Sequence, residues 1–197
     1  MPRPKVHDDR LRTALLDAAG AMITADGYAA LSLRRLAAEV GTSTTAVYAL
    51  FGGKPGLMGA LFREAFRRFG EHLQGIEPSD DPVHDIARLG LAYRESALDD
   101  PHLYQNMFGS RPAGWEPDEE SLSAAEATFA PLLDAVRRAV DTGVFRHEDP
   151  AVIATSLWAG LHGMVSFELG DFMPPQAADP AEAFVAMGVA SMDAWKA

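Results

Sequence analysis

A chain of 197 residues, 48% hydrophobic and 23% charged, can bury one substantial core or two small ones and has the balance of a globular protein. It has no cysteine, which removes disulfides, thiolate nucleophiles and thiolate zinc sites and suits a reducing cytoplasm. The net charge of −11 argues against a polyanion partner until its distribution is read: residues 1–72 carry 10 Lys/Arg against 7 Asp/Glu, whereas residues 73–197 carry 7 against 21.

Pro2–Lys5 is too short, and lacks the apolar core, to read as a signal peptide. Arg3, Lys5, Arg10 and Arg12 form a basic arm, read either as a solvated tail or as a contact to phosphates or a minor groove. From Leu11 the apolar positions Leu15, Ala18, Ala19, Met22 and Ile23 trace one helix face that stops at Asp26 and Gly27, with Tyr28 and Leu31 as further apolar contacts. Ser32 is placed to cap a second helix that buries Leu33, Leu36, Ala37 and Val40 and ends at Gly41. Ser43 caps a third, whose Ala46, Val47 and Leu50 face back while Thr44, Thr45, Tyr48 and Ala49 face outward. Two short helices hinged at Gly41 and Thr42, with small polar groups opening the second, make a helix-turn-helix, and such groups suit the base edges of a DNA major groove. After Gly52 and Gly53, Lys54 begins a long amphipathic helix carrying Leu57, Leu61, Ala65, Phe66, Phe69 and Leu73.

Over about residues 9–60 this order resembles the N-terminal domain of the TetR family of transcriptional regulators. The resemblance rests on Gly27 and Tyr28, the run Ser32 to Ala37, Gly41, Ser43, Val47 and Tyr48, Phe51, Lys54 and Leu57. It implies that Thr44 and Thr45 read base edges and that Tyr48 and Lys54 touch phosphates. Ser32, Arg34, Thr42 and Ser43 complete the expected DNA-binding set. Ala49 and Leu50 stand where many members have an aromatic or histidine, which implies a lighter clamp on the DNA backbone.

Past Gln74 the composition shifts at Glu77–Pro82 to a hinge-like break. The boundaries read as residues 1–54 for the DNA-binding domain with its arm, 55–75 for a connecting helix and 76–197 for an effector-binding and dimerisation domain. Helices are predicted at about 83–98, 101–108, 118–142, 150–169 and 180–195, with Pro101, Pro150 and Pro180 each after an aspartate able to cap. No strand alternation is present, so the fold class is all-α. The loop 109–117 is the least helical stretch and is expected to be mobile where a ligand enters. Ala151–Phe167 is uncharged, yet it includes Thr155, Ser156, His162 and Ser166 and reads as a helix inside protein rather than a membrane span.

The last two helices carry apolar residues on more than one face, which predicts a four-helix dimer interface using Val152, Leu157, Leu161, Phe184, Val185, Val189 and Met192. Ser156–Gly163 resembles the Trp-His-Gly signature of one C-terminal class in the same family. Tyr93, His102, Tyr104, Met107, Phe108, Trp115, Phe129, Trp158 and His162 have the aromatic and methionine character of either a core or an effector pocket.

Candidates for catalysis are weak. His84 with Asp85, and His147 with Glu148 and Asp149, are neighbours that diverge by ~100° on a helix, and neither a metal-spaced histidine pair nor a nucleophile elbow is found. No cofactor and no metal are expected. The partners expected are a double-stranded DNA operator, a second copy of the chain and a small-molecule effector, with no membrane. The rival reading is a helix-turn-helix adaptor that binds protein and has no DNA affinity.

Overall fold

The computed structural model describes residues 5–109, 114–174, 176 and 179–197, with side chains from residue 8 onward. The described residues build α1 (Lys5–Asp26), a 3-10 turn (Tyr28–Ala30), α2 (Leu33–Val40), α3 (Thr44–Phe51), α4 (Lys54–Gln74), α5 (Pro82–Asp99), α6 (Pro101–Phe108), α7 (Glu119–Asp141), α8 (Pro150–Leu169) and α9 (Pro180–Asp193). Among them the only β pairing is an isolated bridge between Phe145 and Lys196. The all-α expectation therefore holds, and the helix ends fall within a few residues of those read from capping signals. Helix α1 starts at Lys5 rather than near Leu11, so the arm is helical from there; Arg3 and the Lys5 side chain lie outside the described residues, as do residues 110–113 of the loop.

Caps set these ends. The Ser32 hydroxyl accepts from Arg35 N at 3.4 Å and the Ser43 hydroxyl from Ala46 N at 3.2 Å, each satisfying an amide of a first turn. Gly41 closes α2 at φ 72°, a left-handed conformation that favours glycine. Asp100, Asp149 and Asp179 accept from Leu103 N, Ala151 N and Ala181 N at 3.0, 2.9 and 2.9 Å, each with proline opening the helix that follows.

The chain divides into two compact units, residues 1–68 with 100–125, and residues 69–99 with 126–197. This differs from the sequence boundaries, because α6 and the first turns of α7 belong with the helix-turn-helix and the division passes through α4. In the first unit Leu15, Ala19, Met22, Leu36, Ala37, Val47, Leu57 and Leu61 form one buried core, with Trp115 packed against it. Helix α1 packs on both α2 and α6.

In the second unit α8 packs on α9 and both lie against α5. Ile86, Tyr93, Val136, Phe145, Ile153, Leu157, Val165 and Phe184 are buried there. Helix α8 is long and apolar enough to cross a membrane by length and composition, but only 28% of that stretch is buried. The expectation of a helix inside protein is thus met on one face only.

Asp85 anchors the start of this unit. It is 2% exposed and accepts from Ser79 N at 2.9 Å, Ser79 Oγ at 2.8 Å, Arg88 at 2.6 Å and Arg138 at 2.6 Å. Burial alone would raise its pKa. The hydrogen bonds from Arg138, Ser79 and Arg88 outweigh that and hold the carboxyl well below the usual carboxylate range. A pKa depressed by folding gives stability that is present above the unfolded value of about 3.9 and is lost as pH falls below it. Asp85→Asn is expected to cost about 2 kcal/mol at neutral pH, because two guanidiniums and two Ser79 donors lose a charged acceptor. Urea midpoints measured from about pH 6 down to about pH 3 should fall less steeply for the variant than for the wild type; parallel curves would remove Asp85 from the acid response.

Candidate nucleic-acid interface

Helix α3 is only eight residues long, too short to be stable by itself, so its surroundings decide whether it presents a fixed face. Val47 is fully buried and Phe51 nearly so, which fixes the inner face. The outer face is what the sequence predicted: Thr44, Thr45, Tyr48 and Ala49 are exposed, Tyr48 by 57%. Ser32, Arg34 and Ser43 are exposed as well, whereas Thr42 is half-buried. The two serine hydroxyls are engaged as cap acceptors, and each still has its own proton to donate outward.

The end of α3 is fastened by contacts that sequence did not reveal. Arg12 reaches the Leu50 carbonyl at 3.5 Å and lies 5.0 Å from the centre of the Phe51 ring, which places a cation at the negative end of the helix. A side chain at Gly56 would run into the Phe51 carbonyl, so glycine allows α4 to begin directly beneath α3. Lys54 Nζ, read from sequence as a phosphate contact, donates to the Tyr28 carbonyl at 3.0 Å and ties the start of α4 to the turn after α1. Two of its three N–H groups are left for other acceptors. Arg35 closes the same corner through Asp26 at 2.6 Å.

The residues read as an effector pocket fall into two sets. His102, Tyr104, Met107, Phe108 and Trp115 belong to the first unit, where Tyr104 and Met107 are buried and His102 is exposed. There Phe62 stacks at 4.8 Å on Phe66 and at 5.7 Å on Trp115, while Phe108 lies 5.9 Å from Phe66. Tyr93, Phe129, Trp158 and His162 belong to the second unit. Tyr93 Oη is 2.9 Å from His162 Nδ1, the Trp158 ring lies 5.7 Å from that imidazole and 6.1 Å from Phe129, and Phe69 meets Tyr93 edge-on at 5.3 Å. Burial pushes the His162 pKa down, so the ring is neutral at pH 7.

Of the residues assigned to a dimer face, Val152, Val185 and Val189 are about half exposed, and Leu161 and Met192 are partly so. Leu157 and Phe184 are each 3% exposed within a single chain, because α8 and α9 spend most of those side chains on their own packing. They form the floor of an apolar groove walled by Leu91, Val185, Val189 and Met192. The weak catalytic clusters are used structurally, Asp85 in its arginine pair and Asp149 as the α8 cap. Among the described residues no group of His, Asp and Glu is arranged to hold a metal.

Comparison with known proteins places two matches on this chain. The family model described as bacterial regulatory proteins of the tetR family matches residues 15–61, and the tetracyclin repressor-like C-terminal domain model matches residues 86–192. The HTH-type transcriptional regulator Rv1816 of Mycobacterium tuberculosis is 24% identical over 80% of each chain. A solved structure of a protein of unknown function from Rhodococcus sp. RHA1 is 26% identical, with a TM-score of 0.80 over 95% of this chain and 96% of that one. SmeT of Stenotrophomonas maltophilia, solved as a triclosan complex, is 25% identical with a TM-score of 0.70, covering 95% of this chain and 92% of its own.

Lys54→Met, which keeps the stem and removes the charge, should cost about 1 kcal/mol in chemical denaturation through the lost Tyr28 bond. An unchanged midpoint would leave that tie without energetic weight.

Proposed function

The chain belongs to the TetR family of bacterial regulatory proteins, and on that premise we propose that it is a repressor released from a palindromic operator by a small-molecule effector. It is a DNA-binding transcriptional regulator. The finer assignments are our reading of the geometry, and the observation that carries them is the outward, threonine-lined face of α3, held between a buried inner face and two fastened ends.

In this reading Thr44 and Thr45 meet base edges. Tyr48, the Ser32 and Ser43 hydroxyls, Arg34, Thr42 and the free donors of Lys54 meet phosphates, which position the helix without specifying sequence. The excess of basic residues over 1–72 supports this. We assign the domains as residues 1–54, 55–75 and 76–197 by role, the middle helix being the covalent link between reading and sensing.

A second copy of the chain pairs through the open faces of α8 and α9, for which the half-exposed Val152, Val185 and Val189 around the apolar groove are the support. Two copies present two reading helices, so the half-sites lie about one helical turn apart, ~34–36 Å, or a multiple of it. The effector sits among Tyr93, Phe129, Trp158 and His162, where aromatic rings surround the hydrogen-bonded phenol and imidazole. The triclosan complex of SmeT gives this precedent in a relative. The effector acts by preferring the dimer geometry that does not fit the operator. The protein works in the cytoplasm, beside its duplex, and no catalytic role is assigned to it.

Selecting bound duplexes from a random pool should recover a palindrome. Against it, Thr45→Ala is expected to lose about 1 kcal/mol or more of discrimination at one position of each half-site; an unaltered preference would take Thr45 out of the reading set. Val189→Glu should sediment as a monomer that folds normally, since Val189 is half exposed in one chain. A dimer unaffected by this charge would move the interface elsewhere.

A further inference from the structure

Two helices cross the division between the compact units, α4 after Arg68 and α7 after Ala125. Each carries a helix-weakening residue shortly past the crossing. In α7 it is Pro131, which stands inside the helix, has no N–H to give the Ala127 carbonyl and crowds that turn with its ring. In α4 it is Gly70, the least favourable helix residue after proline. A Cβ there would stand 3.5 Å from Thr128 Cγ2, an ordinary contact, so lack of space does not explain the glycine. Sharp helix bends concentrate at proline, which makes the stretch around Pro131 the place where α7 gives way first.

Before that stretch, the start of α7 is clasped to α4. Arg63 Nη1 donates to the two carboxylate oxygens of Asp118 at 3.2 and 3.0 Å and to Ser121 Oγ at 3.4 Å, while its Nε lies 3.4 Å from Glu120. Asp118 also caps α7 through Ser121 N at 2.9 Å, and Ser121 is fully buried. Gly59 leaves the guanidinium its place, since a Cβ there would come within 3.3 Å of Nη1. Beside the clasp, Phe62 of α4 meets Trp115 at 5.7 Å. Further toward its start, α4 places Leu57 and Leu61 in the same core as Val47 and Phe51 of α3. A displacement of the start of α7 is therefore handed to α4, and through that core to the seat of the reading helix.

We propose that α7 is jointed at residues 127–131 and that Arg63 is the positioning residue that couples this joint to the reading helix. A continuous α7 and a bound operator favour each other, so whatever bends α7 releases the duplex and, by reciprocity, the duplex straightens α7. Phe129 lies in the joint and 6.1 Å from Trp158, which sets the proposed effector site beside it. This deepens the effector reading and rests on it only for what drives the bend; the joint and its coupling are measured without an effector.

The test is amide hydrogen exchange of the full chain, free and bound to the duplex recovered by selection. In the free protein the amides around the joint should exchange at least about tenfold faster than those of residues 135–139, and Pro131→Ala should remove the difference. Uniform exchange along α7 overturns the joint, with or without DNA. Bound duplex should slow the joint amides about fivefold or more, although no reading residue lies there. Arg63→Met, which keeps the stem, should reduce that slowing to less than about twofold and weaken the duplex about fivefold or more with an unchanged salt slope, since no phosphate contact is lost. Arg63→Lys should restore part of both effects. Asp118→Asn keeps a capping acceptor for Ser121 N while removing the charge, and carries the same test if Arg63→Met does not fold. No slowing of the joint while the duplex is bound, or full slowing in the variant that folds, overturns the coupling. No effector enters the experiment, so a failure of the effector reading leaves its outcome untouched.

Discussion

A helix of two turns in water is mostly coil unless its neighbours hold it, and α3 is such a helix. Everything the protein does at its reading face depends on how this segment is held. Ser43 satisfies an amide at one end, and Gly52 and Arg12 meet carbonyls at the other. Val47 and Phe51 fill the core between α1, α2 and α4. Preorganisation matters because a side chain that must also order its backbone loses much of what a base contact returns. The threonines are useful as readers since their scaffold is already fixed.

The charge of the molecule poses a second constraint. A net −11 repels a polyanion, and phosphate neutralisation supplies most non-specific affinity. Concentrating basic residues in the first 72 positions relieves this locally, while structural pairs consume part of the supply. Arg35 is tied to Asp26, Arg68 to Asp17 and Glu64, and Arg63 to Asp118. Arg34, on the exposed face of α2, is left as a cation close in sequence to the turn. A modest electrostatic grip puts more of the selectivity on the capped helix itself.

Much of the fold was legible because its signals are local. Serine caps, Gly41 and the Asp-Pro pairs placed helix ends within a few residues, and helical periodicity chose the inner face of α3 correctly. What escaped lay between distant segments. Lys54 meets a carbonyl 26 residues earlier, and Asp85 meets Arg138 across 53 residues, so neither spacing carries a signal. The burial of Leu157 and Phe184 within one chain escaped for a related reason: surplus apolar residues on a helix reveal that a partner exists without telling whether it is another helix of the same chain.

In the proposed complex α3 enters the major groove with Thr45 against the bases. A photocrosslinker attached at position 45, on the duplex recovered by selection, tests this most directly. Adducts should map to bases at two symmetric positions about one helical turn apart, or a multiple of it, and vanish when unlabelled operator competes. A protein that binds the duplex fully while position 45 yields no adduct to any base would contradict the claim.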